Sequence, residues 1–194
     1  MLTDRLVAVL VTPSTGDAAP PGVGRDEFLR AVAEDTYEMV AGLDLVTPVI
    51  IAVGVPGLEE IAWPGTPVIS VDSADRAFAA LPPADQAVVV CGDAPDLPPL
   101  LIGKLFRELG RAEIAVCPAD NGGAVAVAAH LPFPDWATLD VDHPEIVKAL
   151  RAQAPGPRKI ATGPGWHRLR TPADIARLDP GLEGWDSTRA LVMA

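Results

Sequence analysis

The stretch "VVVCGDAPDLPP", Val88 to Pro99, decides how this chain is read. A run of strand-forming residues ends at Cys91-Gly92, two aspartates follow three positions apart, and prolines mark a helix start. Two carboxylates on the tight turn after a buried strand have two uses. Asp93 and Asp96 either ligate Mg²⁺ or Mn²⁺, which takes hard oxygen donors and usually also holds phosphate, or they tidy the turn. In the second case Asp96 caps a helix over residues 97–109, a favoured place for aspartate.

Outward from that turn, apolar runs of strand length recur at 6–11, 47–54, 66–72, 86–92, 112–120 and 122–130, with a short one at 159–161. Helices are predicted between them. Residues 26–41 set Phe28, Leu29, Val32, Met39 and Val40 among charges, an amphipathic pattern. Shorter helices are predicted at 73–80, capped by Ser73, at 97–109, and at 144–153, where Asp142 or His143 caps and Pro144 sits in the first turn. The last, at 171–178, opens with Thr-Pro-Ala-Asp, a cap, a first-turn proline and an acidic third position. Unbroken apolar strands alternating with helices predict an α/β three-layer sandwich with a mostly parallel sheet covered on both faces. Ligands in such sheets sit at the carboxyl ends of the strands, where the order reverses. That edge receives 12–25, 91–97 and 118–123. Residues 1–194 are expected to form one domain, with a core over 5–178 and a tail, 179–194, of unassigned structure.

Composition narrows the partners. With 15 basic and 26 acidic residues the net charge is −11. Nucleic acid needs a basic footprint that this chain lacks. Phosphorylated small molecules remain open to it, held locally by arginine, backbone amides or a metal ion. No run approaches the roughly 18 apolar residues of a membrane span, and the opening residues lack the ordering of a signal peptide. Cys91 and Cys117 read as reduced, buried thiols, so the cytoplasm is expected. The wealth of Ala and Val makes self-association through an apolar edge an expectation.

Three further stretches carry candidate chemistry. In "CPADNGGAVAV" (117–127), Asp120 and Asn121 could touch sugar hydroxyls, and Gly122-Gly123 lets a backbone pass close to a ligand; an Asn-Gly turn closing a hairpin is the plainer reading. In "PPGVGRDEF" (20–28), Gly22, Gly24 and Arg25 enter a helix and could hold an anion at its start, near Thr12. The same letters describe a plain loop. In "GWHRLRTPAD" (165–174), Arg168 and Arg170 either clamp phosphate or are solvated. The three histidines have no ligand spacing.

Taken together these segments resemble a bacterial group of glycosyltransferase-like proteins with the GT-A, or nucleotide-diphospho-sugar transferase, fold. "GDAPDL" (92–97) resembles their Gly-Ser-Asp-x-Pro-x-Leu motif and "CPADNGGAVAVAA" (117–129) their Pro-Ala-x-Asp-Gly-Gly-Tyr segment. "FLRAVAEDTYEMV" (28–40) looks like their first helix, including Asp35-Thr36, and "RLRTPADIARL" (168–178) their closing Asp-x-Asp-Thr-Pro-x-Asp-Leu element. The order holds over residues 6–178, and nucleotidyltransferases share the architecture more distantly. The resemblance implies a nucleotide- or sugar-nucleotide-dependent transferase. Asp93 would be the principal metal ligand and catalytic residue, Asp96 its neighbour, and Gly122-Gly123 the wall beside the sugar. The alternative is a catalytically degenerate relative that binds a ligand or a protein.

Four departures separate the chain from that pattern. The first loop, "PSTGDAAPPGVGRDE" (13–27), lacks the family's Lys-Thr-Arg-Leu run and offers only Arg25. Asn121 stands before the glycine pair, and Ala124 replaces tyrosine. Arg168 and Arg170 replace both aspartates ahead of Thr-Pro, which turns a cation-attracting region into a cation-repelling one.

Overall fold

The computed structural model describes residues 3–193. Seven strands form one sheet: β1 (Arg5–Val11), β2 (Thr47–Val53), β3 (Val68–Val71), β4 (Gln86–Cys91), β5 (Ile114–Pro118), β6 (Ala124–His130) and β7 (Ile160–Thr162). Their order is β3-β2-β1-β4-β6-β5-β7. Only β6 runs antiparallel to its neighbours β4 and β5; the remaining pairings are parallel. The α/β sandwich expected from the sequence is the one observed.

The strands read as continuous apolar runs because both faces are covered. Along β1, Val7 and Val9 point into a core with Leu29, Val40, Leu101 and Phe106. Leu6, Ala8 and Leu10 point into the opposite core with Phe78, Ile146 and Leu150. The first core lies under α1 (Arg25–Ala41) and α2 (Pro99–Glu108), the second under α3 (Ile146–Gln153).

Local chemistry shifts several predicted boundaries. Residues 73–80 form two 3-10 turns, Ala74–Arg76 and Phe78–Ala80, and no helix. The Ser73 hydroxyl bonds the Asp75 carboxylate and makes no cap, while Pro82 disfavours helical geometry just before it. The element at 171–178 is also a 3-10 turn, Pro172–Arg177, yet its Thr171/Asp174 capping box is present. α3 starts two residues after Pro144, with Glu145 at its cap in place of Asp142 or His143.

The tail folds. Residues 186–192 form α4 (Asp186–Val192), which packs on α1. A third core joins Phe28 and Val32 of α1 to Leu169, Leu178 and a fully buried Trp185. Among the described residues no helix is long and apolar enough to cross a membrane.

The chain leaves β1 for β2 and β3 on one side and returns to β4 on the other. The strand order therefore reverses between β1 and β4, and their carboxyl ends flank the position where this architecture binds ligands. Gly92 closes that end: its N–H donates to Leu10 O at 2.8 Å, and a Cβ there would lie 3.0 Å from the same oxygen.

Candidate functional site

The chain lays its own residues 166–170 across the carboxyl ends of β4 and β5. Leu169 N donates to Asp93 O at 2.8 Å, Asp120 N to Trp166 O at 2.9 Å and Trp166 N to Pro118 O at 3.1 Å. Asn121 Nδ2 donates to Arg168 O at 3.0 Å. Two of the three predicted strand-end segments, 91–97 and 118–123, are thus tied to this crossing segment.

Asp93 meets a guanidinium there. Arg168 Nε donates to Asp93 Oδ1 at 2.8 Å and Nη2 to Oδ2 at 2.9 Å, the bidentate fork that a planar guanidinium forms with a carboxylate. The two side chains are 6% and 3% exposed. The remaining Nη1 reaches Asp142 Oδ1 at 2.8 Å and the carbonyls of Ala124 and Val141 at 3.3 and 3.4 Å. Burial disfavours the Arg168 charge, but the charge and hydrogen bonds of Asp93 and the charge of Asp142 more than offset that and raise its pKa.

Asp96 caps no helix. α2 begins at Pro99 after Pro98, since a following proline keeps both Leu97 and Pro98 out of helical geometry, and the Asp96 carboxylate turns to the crossing segment instead. It accepts from His167 Nε2 at 2.9 and 3.0 Å, from Trp166 Nε1 at 3.2 Å and from Asp179 N at 3.0 Å.

Arg170 is the solvent-facing member of the pair. Its side chain is 34% exposed, and it sits between Gly122 O and Asp142 Oδ1, each at 3.3 Å. Asp120 pairs with Arg177 at 2.8 Å on the rim. The Gly-Gly pair serves the chain itself. Gly122 and Gly123 have φ of 93° and 81°, and a Cβ on Gly123 would lie 2.5 Å from Val141 O. The 119–123 loop closes the β5–β6 hairpin, with Ala119 N bonded to Gly123 O at 2.9 Å.

Thr12 and Arg25 of the first loop bond to other residues of that loop. Thr12 N donates to Thr15 Oγ1 at 3.1 Å, and Gly24 is the N-cap of α1 without a side-chain bond. Gly22 takes φ of 89° in open space, and Arg25 binds Pro13 O at 2.8 Å and Asp17 at 2.5 Å. Arg25 also lines a cavity of about 190 Å³ with Pro13, Leu29, Arg30 and Gly54, at the carboxyl ends of β1 and β2. Among the described residues, none of the four is hydrogen-bonded to Asp93, Arg168 or Arg170.

Sequence reasoning missed three participants. Asp142 was visible only as a helix-cap candidate, yet it joins both arginines. His167 has no ligand spacing, and its adjacency to Arg168 was the available signal. Asp35 was visible only in the Asp-Thr pair of the first helix; it receives the first amides of α4, Ser187 N at 3.1 Å and Thr188 N at 2.6 Å. Its neighbour Thr36 donates to Gly92 O at 3.1 Å. Both cysteines are free and buried, and burial pushes each thiol up to about 12. Neither supplies a thiolate nucleophile near neutral pH.

No family model and no curated protein matches this sequence. Solved structures do. A protein assigned to the nucleotide-diphospho-sugar transferases from Desulfovibrio desulfuricans superposes with a TM-score of 0.68 at 19% identity, over 98% of this chain and 97% of that one. The chain has the nucleotide-diphospho-sugar transferase fold. The Rv0371c protein of Mycobacterium tuberculosis in complex with manganese matches at a TM-score of 0.58 and 20% identity, over the whole of both chains. CMP:2-keto-3-deoxy-manno-octonic acid synthetase complexed with CTP matches at 0.60 and 15%, over 90% of this chain and 96% of that one.

A divalent ion, which the fold brings to mind, does not fit Asp93 and Asp96 as they stand here. All four carboxylate oxygens already accept hydrogen bonds from Arg168, His167, Trp166 or Asp179. Among the described residues no group of three or more His, Cys, Asp or Glu is arranged to hold a metal. A cation beside the Arg168 guanidinium at ~4 Å would also face repulsion of about 4 kcal/mol per pair of unit charges at an effective dielectric of ~20.

Proposed function

We propose that this chain binds a nucleotide or sugar-nucleotide at the carboxyl edge of its sheet without a divalent ion on Asp93, as a ligand-binding derivative of the transferase fold. The observation that carries this reading is the Arg168–Asp93 fork, buried on both sides. It consumes the carboxylate through which a strand-end metal would be held. In this reading Arg170, one-third exposed beside Gly122, meets a ligand phosphate, with Asp120 and Asn121 on the adjoining loop. The two buried free thiols support a reducing compartment, the cytoplasm.

Titration calorimetry with nucleoside diphosphates, triphosphates and sugar-nucleotides, each with Mn²⁺ and with chelator, tests the reading. Binding that ignores metal and is lost in Arg170→Ala is the expected result. Binding that requires Mn²⁺ and disappears in Asp93→Asn overturns it. The exposure of Arg170 also favours a second reading, a transferase in which a guanidinium takes over charge stabilisation on the leaving diphosphate. Release of nucleoside diphosphate from a bound sugar-nucleotide, followed by phosphorus NMR, separates the two.

A further inference from the structure

The far edge of the sheet, away from the crossing segment, carries a second feature. β7 is the last strand, and among the described residues its outer side has no neighbour in the sheet. Lys159 O accepts from Glu113 N and Ile114 N at 3.0 and 3.1 Å, and Gly163 N donates to Val116 O at 2.8 Å. Backbone groups of residues 159 and 163 therefore face β5. By the alternation of a strand, those of Ile160 and Thr162 face outward.

A groove of about 570 Å³ runs along this edge, lined by Ile160, Thr162 and three arginines, Arg111, Arg151 and Arg158. The arginines come from different elements. Arg111 follows α2, which covers one face of the sheet. Arg151 lies on α3, which covers the other, and its Nη2 donates to Thr162 Oγ1 at 3.2 Å. Arg158 belongs to the turn leading into β7. Arg111 is shared with Glu108 but remains 72% exposed. In a chain of net charge −11, three of the 15 basic residues gather on one short edge.

We propose that the outer edge of β7 docks an extended acidic segment of a partner protein, which adds an eighth strand. Main-chain hydrogen bonds to Ile160 and Thr162 supply the pairing, as in other strand additions to open edges. Successive side chains of an added strand point to opposite faces. Carboxylates on one face then meet Arg151 and those on the other meet Arg111. Charge complementarity selects the occupant: a second copy of this edge would set arginine against arginine.

The test uses the full chain and a fluorescein-labelled octapeptide of Glu-Glu-Val-Val repeated twice, which puts carboxylates on both faces of an extended strand, read by fluorescence anisotropy, with hydrogen exchange at Ile160 and Thr162 as a second measurement. The expected result is saturable binding that slows exchange at both amides and weakens about tenfold or more in Arg151→Glu/Arg158→Glu. It should also weaken as salt rises from about 50 to 200 mM, because exposed charges are screened. Equal affinity for the matching Lys-Val peptide overturns the proposal. So does full displacement by inorganic phosphate without change in amide exchange, which makes the groove a small-anion site. Absence of peptide binding, with dimers of the double variant in ultracentrifugation, also overturns it and makes the arginines guards against edge pairing.

Discussion

The guanidinium of Arg168 grips both oxygens of the Asp93 carboxylate, 75 residues earlier in the chain, through two hydrogen bonds of 2.8 and 2.9 Å. Position 168 is one where the family resemblance leads one to expect an acidic residue. The arginine found there gives the strand-end carboxylate an internal cation, which changes what the neighbouring turn can do.

Breaking this pair should be costly. Removing one partner of a buried ion pair leaves an uncompensated charge, typically worth about 3–5 kcal/mol. Asp93→Ala and Arg168→Ala are each expected to lower the urea-unfolding free energy by about that amount. Asp93→Leu/Arg168→Met should recover much of the loss, because neither charge then remains buried. Single variants as stable as wild type would show that the fork is not formed in solution.

Asp35 links the tail to α1. Burial raises its pKa, although the Thr188 and Ser187 donors oppose the shift. A carboxyl raised in the folded state contributes stability that is present below its unfolded value of about 4 and is lost as pH rises through the folded value. Asp35→Asn, neutral at every pH, should therefore flatten the stability profile from about pH 4 upward. Parallel profiles for the variant and wild type in urea denaturation would refute this. Asp35→Ala removes the acceptor and should speed amide exchange over residues 186–192 ahead of global unfolding.

Asp174 behaves in the opposite sense. Burial alone would raise its pKa, yet the amides of Thr171 and Arg170, the Thr171 hydroxyl and Arg177 outweigh it and bring the value down. A depressed carboxyl contributes stability that is present above its unfolded value of about 4 and is lost as pH falls through the folded value. Asp174→Ala should cost about 1 kcal/mol at neutral pH, the usual worth of such a cap. The difference from wild type should shrink on acidification below about pH 4; a gap that widens there would contradict the capping assignment.

The sheet was legible because its strands are apolar on both faces and bounded by Gly and Pro, as Leu6–Val11 and Gln86–Cys91 illustrate. The capping box at Thr171 was legible for the same local reason. What stayed hidden depends on pairs distant in sequence. Nothing adjacent to Asp96 announces His167, 71 residues away, and nothing near Asp35 announces Thr188. The arginines at 168 and 170 were visible as a departure, but only the fold separates them, sending Arg168 inward to Asp93 and leaving Arg170 at the surface.

The last prediction concerns two glycines that the sequence treats alike. Gly22 and Gly123 both have positive φ, 89° and 81°, so alanine at either pays the left-handed penalty of about 1–2 kcal/mol. At Gly22 the space around a Cβ is open to 4 Å, and that penalty is the whole expected effect. At Gly123 the Cβ would sit 2.5 Å from Val141 O, the carbonyl that accepts from Ala124 N at 2.8 Å and from Arg168 Nη1. Relief requires moving the 141–142 backbone away from the hairpin, which loosens the Arg168 network as well. Gly123→Ala should therefore lose several times what Gly22→Ala loses in chemical denaturation. Equal losses would mean that the close approach of residues 141–142 to the hairpin is not maintained in solution, and with it the enclosure of Asp93.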